Sequence, residues 1–372
     1  MTLRENFLAV LNYRPWTHMP VVRFGHWPQT LQRWHREGHI TEEELLNYGD
    51  GNTYDMQIAK RQGFDFPVWN NAFGGTTGLF PAFKEEVVEV LPDGTRKRRN
   101  VEGAIVLEKD DAYSIPPEVG HTLVDRASFE KHFRPRLQYS EDRIDLRHLD
   151  EYLKVKDPEY PVMGYGGSFY GILRNWMGLE GISYLYADDI ELYDELIDTV
   201  GTLNYRVTKK VFECGFRPDV LAFWEDICSK SGPLIVPEVF REKIGPHCRK
   251  VCDLARDYGV TLIYVDCDGV IDSLLPIWLD CGVNTFFPVE VGTWGGSIAP
   301  WREKYGRRPR GIGGFNKHVL ATDRAAIDAE IERMRPLVDL GGFVPCLDHH
   351  ITPVVPWENV QYYCDRMRKV FG

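Results

Sequence analysis

Cysteine is sparse and unpatterned, with eight residues in 372 and no CxxC pair, so neither a secreted disulfide scaffold nor a compact zinc knuckle is encoded. Cys248 and Cys252 share one helix face and are expected to be reduced and half-buried. Basic residues are outnumbered, 44 against 55 acidic, and the formal net charge of -11 repels nucleic acid and anionic membranes. No run of residues reaches the apolar length of a membrane span. The opening MTLRENFLAVLNYRPW also lacks the basic flank, apolar stretch and cleavage site of a secretion signal. A cytoplasmic protein with neither nucleic-acid nor membrane partners is expected. The short basic run Arg96–Arg99 follows a Pro-Asp-Gly turn and is expected at a solvated hairpin. Also missing are the dinucleotide glycine fingerprint after a first strand, the Walker lysine and an HExxH helix, which removes three common site types.

What is present is alternation. After Pro161 the strands PVMGY, DVLAFW, VTLIYV, NTFFPVE, PRGIGG and GGFVP are separated by amphipathic helical stretches. Continuous apolar strands between helices indicate parallel sheet built from right-handed crossovers. Two more strands, Met19–Phe24 and Phe64–Val68, precede them, and a helix is expected at Leu3–Leu11 and another over Thr30–Tyr48. Eight strands close most economically into a (β/α)8 TIM barrel, an α/β fold forming one domain over residues 1–372. An N-terminal extension and an insertion at about residues 80–156 complete it. From Glu85 to Lys109 the period changes to two, giving a β-meander, and the rest of the insertion to about Lys156 is expected to be a helical cap.

In such a barrel the reacting groups stand at the C-terminal ends of the strands. VTLIYV runs into Asp266-Cys267-Asp268-Gly269, NTFFPV ends in Glu290, and GGFVP runs into Cys346-Leu347-Asp348-His349-His350. Carboxylates and imidazole from three strands can hold a divalent metal with an open position. The same residues serve acid–base chemistry equally well, or a structural set in which Asp268 makes a turn and Glu290 pairs with Arg302 or Arg310. Asp226, after DVLAFW, and Lys317, in GGFNKH, are candidate catalytic groups. Arg23, His26, Trp27 and Trp294 are candidate substrate contacts, with Trp69 as a further apolar wall.

The segments GSFYGILRNWMGLEG, EDICSKSGPLIVPEVFREKIGPHCRKV, VDCDG, LDCGVNTFFPVEVG, REKYGRRPRGIGGFNKHVLA and GGFVPCLDHHITPVVPWENVQYY resemble, in order and spacing, the blocks of the uroporphyrinogen decarboxylase superfamily. The resemblance implies either decarboxylation of a tetrapyrrole or metal-dependent methyl transfer involving a corrinoid. The tetrapyrrole enzyme carries an arginine-rich motif after its first strand. Here the segment reads RFGHWPQT and keeps only Arg23, which favours methyl transfer.

In the family's corrinoid methyltransferases a His-x-Cys pair and a distant cysteine hold zinc. Matched onto this chain, those positions become Asp266, Asp268 and His349, with Glu290 at a family acidic position. The resemblance therefore implies zinc or another divalent ion on Asp266, Asp268, Glu290 and His349. It also implies a cobalamin (corrinoid) carried by a partner protein and a small O-, N- or S-methyl substrate such as a methoxylated aromatic. The alternatives are a carboxy-lyase and a non-catalytic corrinoid- or tetrapyrrole-binding module, and a homodimer is the candidate assembly.

Overall fold

The computed structural model describes residues 1–69, 73–109 and 116–372. Residues 110–115 of the expected insertion, between the meander and its cap, lie outside the described residues.

Eight parallel strands form the centre: β1 (Val22–Arg23), β2 (Phe66–Pro67), β7 (Met163–Gly167), β8 (Val220–Trp224), β11 (Leu262–Asp266), β12 (Thr285–Val289), β13 (Arg310–Phe315) and β14 (Phe343–Leu347). Their hydrogen-bonded order is β2-β1-β14-β13-β12-β11-β8-β7. The two ends of this curled sheet meet where Phe73 forms a parallel bridge to Gly164, its N–H on the Met163 carbonyl and its carbonyl accepting from Tyr165. This is the expected (β/α)8 arrangement. β11, β12 and β14 are buried along their whole length, as apolar strands covered on both faces must be. Parallel register aligns the strand ends, with Asp266 beside Trp224 on one side and Phe287 on the other.

The meander is β3 (Glu86–Val90), β4 (Arg96–Arg99) and β5 (Ala104–Glu108), an antiparallel sheet that gains a fourth strand, β6 (Glu118–His121), in a stretch expected to be helical. The basic run is β4 itself. Its charges meet acidic partners on the flanking strands, Lys97 on Glu89 at 2.7 Å and Arg99 on Glu86 at 2.8 Å, so cross-strand pairing accounts for it. A hairpin of β9 (Cys228–Ser229) and β10 (Gly232–Pro233) follows β8.

The expected helix Leu3–Leu11 forms, started by a Thr2/Glu5 capping box. The expected helix over Thr30–Tyr48 does not run through. It divides into Pro28–Arg36 and Glu42–Asn47 because Gly38 adopts φ 83° and Thr41 begins a new helix with its own capping box. Among the described residues no helix is long and apolar enough to cross a membrane.

Candidate functional site at the strand ends

A cleft of about 820 Å³ opens at the C-terminal ends of the strands. Phe24 and Trp27 reach it from the loop after β1, Trp69 from beyond β2, Tyr165 from β7, Trp224 from β8, Asp266 from β11 and His349 and His350 from beyond β14, with Asp50 at the rim. Trp27 stacks on the His349 ring, centroids 6.1 Å apart and planes 20° apart, and Phe24 meets the His350 ring edge-on at 4.4 Å.

The chemistry concentrates on Asp266, Asp268, Asp226 and His349. The Trp69 indole N–H donates to Asp266 Oδ2 at 3.0 Å. Burial holds the Asp266 carboxyl well above the usual range, and the neighbouring Asp268 and Asp226 add to this by repulsion. Asp226 is raised too, by burial and then Asp268, although Arg174 pairs with it at 3.3 Å. Asp268 Oδ2 lies 3.1 Å from His349 Nε2, while Asp268 Oδ1 is buried without a hydrogen-bond partner. The backbone N–H of His350 donates to His349 Nδ1 at 2.8 Å. That assigns the proton of the neutral His349 ring to Nε2, aimed at Asp268. His350 is held neutral by burial, its pKa pushed down to about 3.

Two carboxylates position these loops, and sequence reasoning missed their roles. Asp348 Oδ2 accepts the N–H groups of Val291 and Gly292, and Oδ1 accepts that of Lys317, tying the loops after β12 and β13 to the end of β14. Glu225 accepts the N–H groups of Phe169, Tyr170 and Gly171 at the start of the helix Gly171–Asp188. Burial nonetheless raises its pKa to about 7. A side chain at Gly171 would meet the Glu225 carbonyl oxygen at 2.2 Å, so only glycine permits this closeness.

Several expected site residues stand elsewhere. Arg23 is wholly buried and pairs with the equally buried Asp55. His26 lies against it, Nδ1 at 3.0 Å from the Arg23 guanidinium and Nε2 at 3.2 Å from Gln62. Neither lines the cleft, because a buried guanidinium requires its carboxylate and acceptors below the floor. Lys317 meets the field of Asp348, Glu290 and Asp268, burial lowering its pKa, and is not part of the cleft wall. Trp294 packs onto Glu290 rather than the cleft, its indole N–H 3.3 Å from Oε2.

Glu290 is fully engaged: Oε1 accepts from the Thr293 hydroxyl at 2.6 Å, and Oε2 also accepts the Gly269 N–H at 2.9 Å. It pairs with neither arginine considered for it, since Arg302 bonds the Gly341 carbonyl and Arg310 the Leu11 carbonyl. Asp266, Asp268, Glu290 and His349 therefore come to one end of the barrel without assembling as a metal centre. Among the described residues no three His, Cys, Asp or Glu side chains converge to hold an ion. The cause lies in the partners just described: Glu290 is spent on donors, and His349 presents a proton rather than a lone pair to Asp268. The crowded carboxylates and the partnerless Asp268 Oδ1 suit positive charge, but not the short, simultaneous bonds of zinc. Treatment with EDTA is expected to leave the melting temperature unchanged. A zinc-induced rise of several degrees would show that the four donors rearrange into a centre.

A parallel eight-stranded barrel with an acid–imidazole cluster at the C-terminal strand ends has the layout of a barrel enzyme. The family model described as uroporphyrinogen decarboxylase (URO-D) matches residues 114–370, and the chain belongs to this enzyme family. Among solved structures it is similar to a methyltransferase from Methanosarcina mazei, at 17% identity over 100% of both chains and a TM-score of 0.61. It also matches a putative vitamin-B12 independent methionine synthase from Listeria monocytogenes, at 14% identity over 60% of this chain and 69% of that one, with a TM-score of 0.38. No curated protein matches.

Proposed function

We propose that the protein transfers a methyl group from a small methylated compound to a reduced corrinoid carried by a partner protein. The observation that carries this is the wall of the cleft. It is aromatic and acidic, with histidines but no arginine or lysine among the described residues that line it. A tetrapyrrole with several propionates requires bidentate guanidinium partners, and Arg23, the one arginine expected to supply them, is spent on Asp55. The similarity to the Methanosarcina mazei methyltransferase agrees with this choice.

In the reaction the carbon–heteroatom bond breaks with its electron pair going to the heteroatom, and the methyl carbon joins the corrinoid, which supplies two electrons. The chain's residues orient the donor and meet the electron pair. Trp27, Trp69 and Trp224 set the donor between flat faces and exclude water. His349, when protonated as an imidazolium whose positive charge Asp268 offsets at 3.1 Å, donates from Nε2 to a departing oxygen or sulfur and is left as the neutral ring. Oligomeric state does not enter the chemistry, so the homodimer is kept as a separate proposal.

The test is anaerobic mixing of the protein with chemically reduced cobalamin and a panel of methyl donors, followed by visible absorbance. Conversion of the cob(I) spectrum to that of methylcobalamin is expected with at least one donor. Loss of carboxyl groups from uroporphyrinogen, with no methyl transfer, would overturn the proposal.

A further inference from the structure

Five aromatic rings of the cleft, Phe24, Trp27, Trp69, Tyr165 and Trp224, face the same space as the carboxylates of Asp50 and Asp266. Basic side chains near it are already engaged. Arg23 is paired with Asp55, and Arg174 with Asp226 while lying 6.0 Å from the Trp224 ring centroid. Lys317 lies outside the cleft wall in the field of Asp348, Glu290 and Asp268, and His349 and His350 stand against Trp27 and Phe24. An anionic ligand, such as an aromatic acid carrying methoxy groups, would meet two carboxylates and no cation of the wall. A compact metal ion would find its oxygen donors dispersed.

A bulky, weakly hydrated cation has neither difficulty. Its charge is spread over methyl groups that touch ring faces, where the aromatic quadrupole attracts it, and its arrival favours ionisation of the Asp50 and Asp266 carboxyls, which burial holds toward the neutral form without it. We infer that the methyl donor is a quaternary methylammonium compound, held by the aromatic wall and by Asp50 and Asp266. This rests on the methyl-transfer proposal and specifies its substrate class. Methyl removal then breaks a carbon–nitrogen bond, leaves the electron pair on nitrogen and releases a neutral tertiary amine, while the reduced corrinoid supplies the two electrons of the new cobalt–carbon bond. The cation is lost as the bond breaks, so the cage strengthens binding rather than the rate of the chemical step.

Titration calorimetry with choline and with 3,3-dimethylbutan-1-ol, which has carbon in place of the nitrogen and the same shape without the charge, tests this. Choline is expected to bind with a Kd at least tenfold below that of the neutral analogue. Trp224→Leu should raise the choline Kd at least fivefold with little change for the neutral compound, and Trp224→Phe should recover most of the loss. Melting curves of both variants establish that they are folded. Equal binding of the two compounds, or none of choline, overturns the inference. If choline binds and no methyl leaves it, the cage stands and the methyl-transfer proposal fails. If a neutral methyl ether is demethylated and choline is excluded, methyl transfer stands and the cage fails.

Discussion

Replacing His349 by alanine is expected to lower the rate of methyl transfer from an O-methyl donor about 100-fold, the lower end of what a positioned proton donor contributes, and to spare transfer from a quaternary ammonium, whose amine leaves without a proton. The ring lines the cleft, its Nε2 faces Asp268 at 3.1 Å, and its Nδ1 is fixed by the His350 N–H. Alanine removes the donor and leaves Asp268 with neither oxygen bonded, so kcat should fall far more than KM rises. His350→Ala should cost much less, because that ring is held neutral by burial, packs edge-on against Phe24 and makes no hydrogen bond to Asp268. Comparable losses at the two positions in steady-state kinetics would show that the proton donor has been misassigned.

Asp55→Ala is expected to destabilise the protein by about 3–5 kcal/mol, the usual cost of leaving one member of a buried ion pair alone. Arg23 and Asp55 are both inaccessible to solvent. Arg23 also leans on His26, whose pKa burial depresses well below the ordinary value, so the ring stays neutral and supplies no negative charge in place of Asp55. The other Asp55 oxygen accepts the Gly51 N–H at 2.8 Å, which ties the rim loop carrying Asp50 to the same pair. Arg23→Met combined with Asp55→Leu should recover a large part of the loss, since no charge is then stranded. The midpoints of urea unfolding for the single and double variants give the comparison, and a double variant as unstable as the single one would mean that the pair is not the source of the effect.

Much of this architecture is visible in the sequence because a buried parallel strand must be apolar throughout. The runs at Leu262–Asp266, Thr285–Val289 and Phe343–Leu347 announce both the strands and the polar residues that end them. Placing Asp266 and His349 at one mouth follows from that alone. β6 was hidden by its composition, Glu-Val-Gly-His, which has strand character only because β5 offers it an edge. The break between Pro28–Arg36 and Glu42–Asn47 was readable in Gly38 and Thr41, but the amphipathic period around them obscured it.

Side-chain partnership is what residue order conceals. Nothing local to Arg23 shows that Asp55, 32 positions away, will neutralise it, or that Glu290 will be consumed by Gly269, Thr293 and Trp294. Asp348 sits between the eye-catching Cys346 and His349, and its three backbone bonds depend on loops more than thirty residues distant. Trp224 could have been found, as the last residue of an apolar strand beside the chosen Asp226, whereas Asp50 precedes the glycine of a rim loop with no strand to mark it.

The most direct measurement is to follow the methyl carbon itself. Protein, chemically reduced cobalamin and choline labelled with carbon-13 in its methyl groups are incubated without oxygen, and the products are read by NMR. The expected result is labelled methylcobalamin and N,N-dimethylethanolamine in equal amounts, formed in the presence of the native protein and not by reduced cobalamin and choline alone. Label that stays entirely in choline and in every other methyl donor supplied, together with carbon dioxide released from a carboxylated substrate by the same preparation, would contradict it.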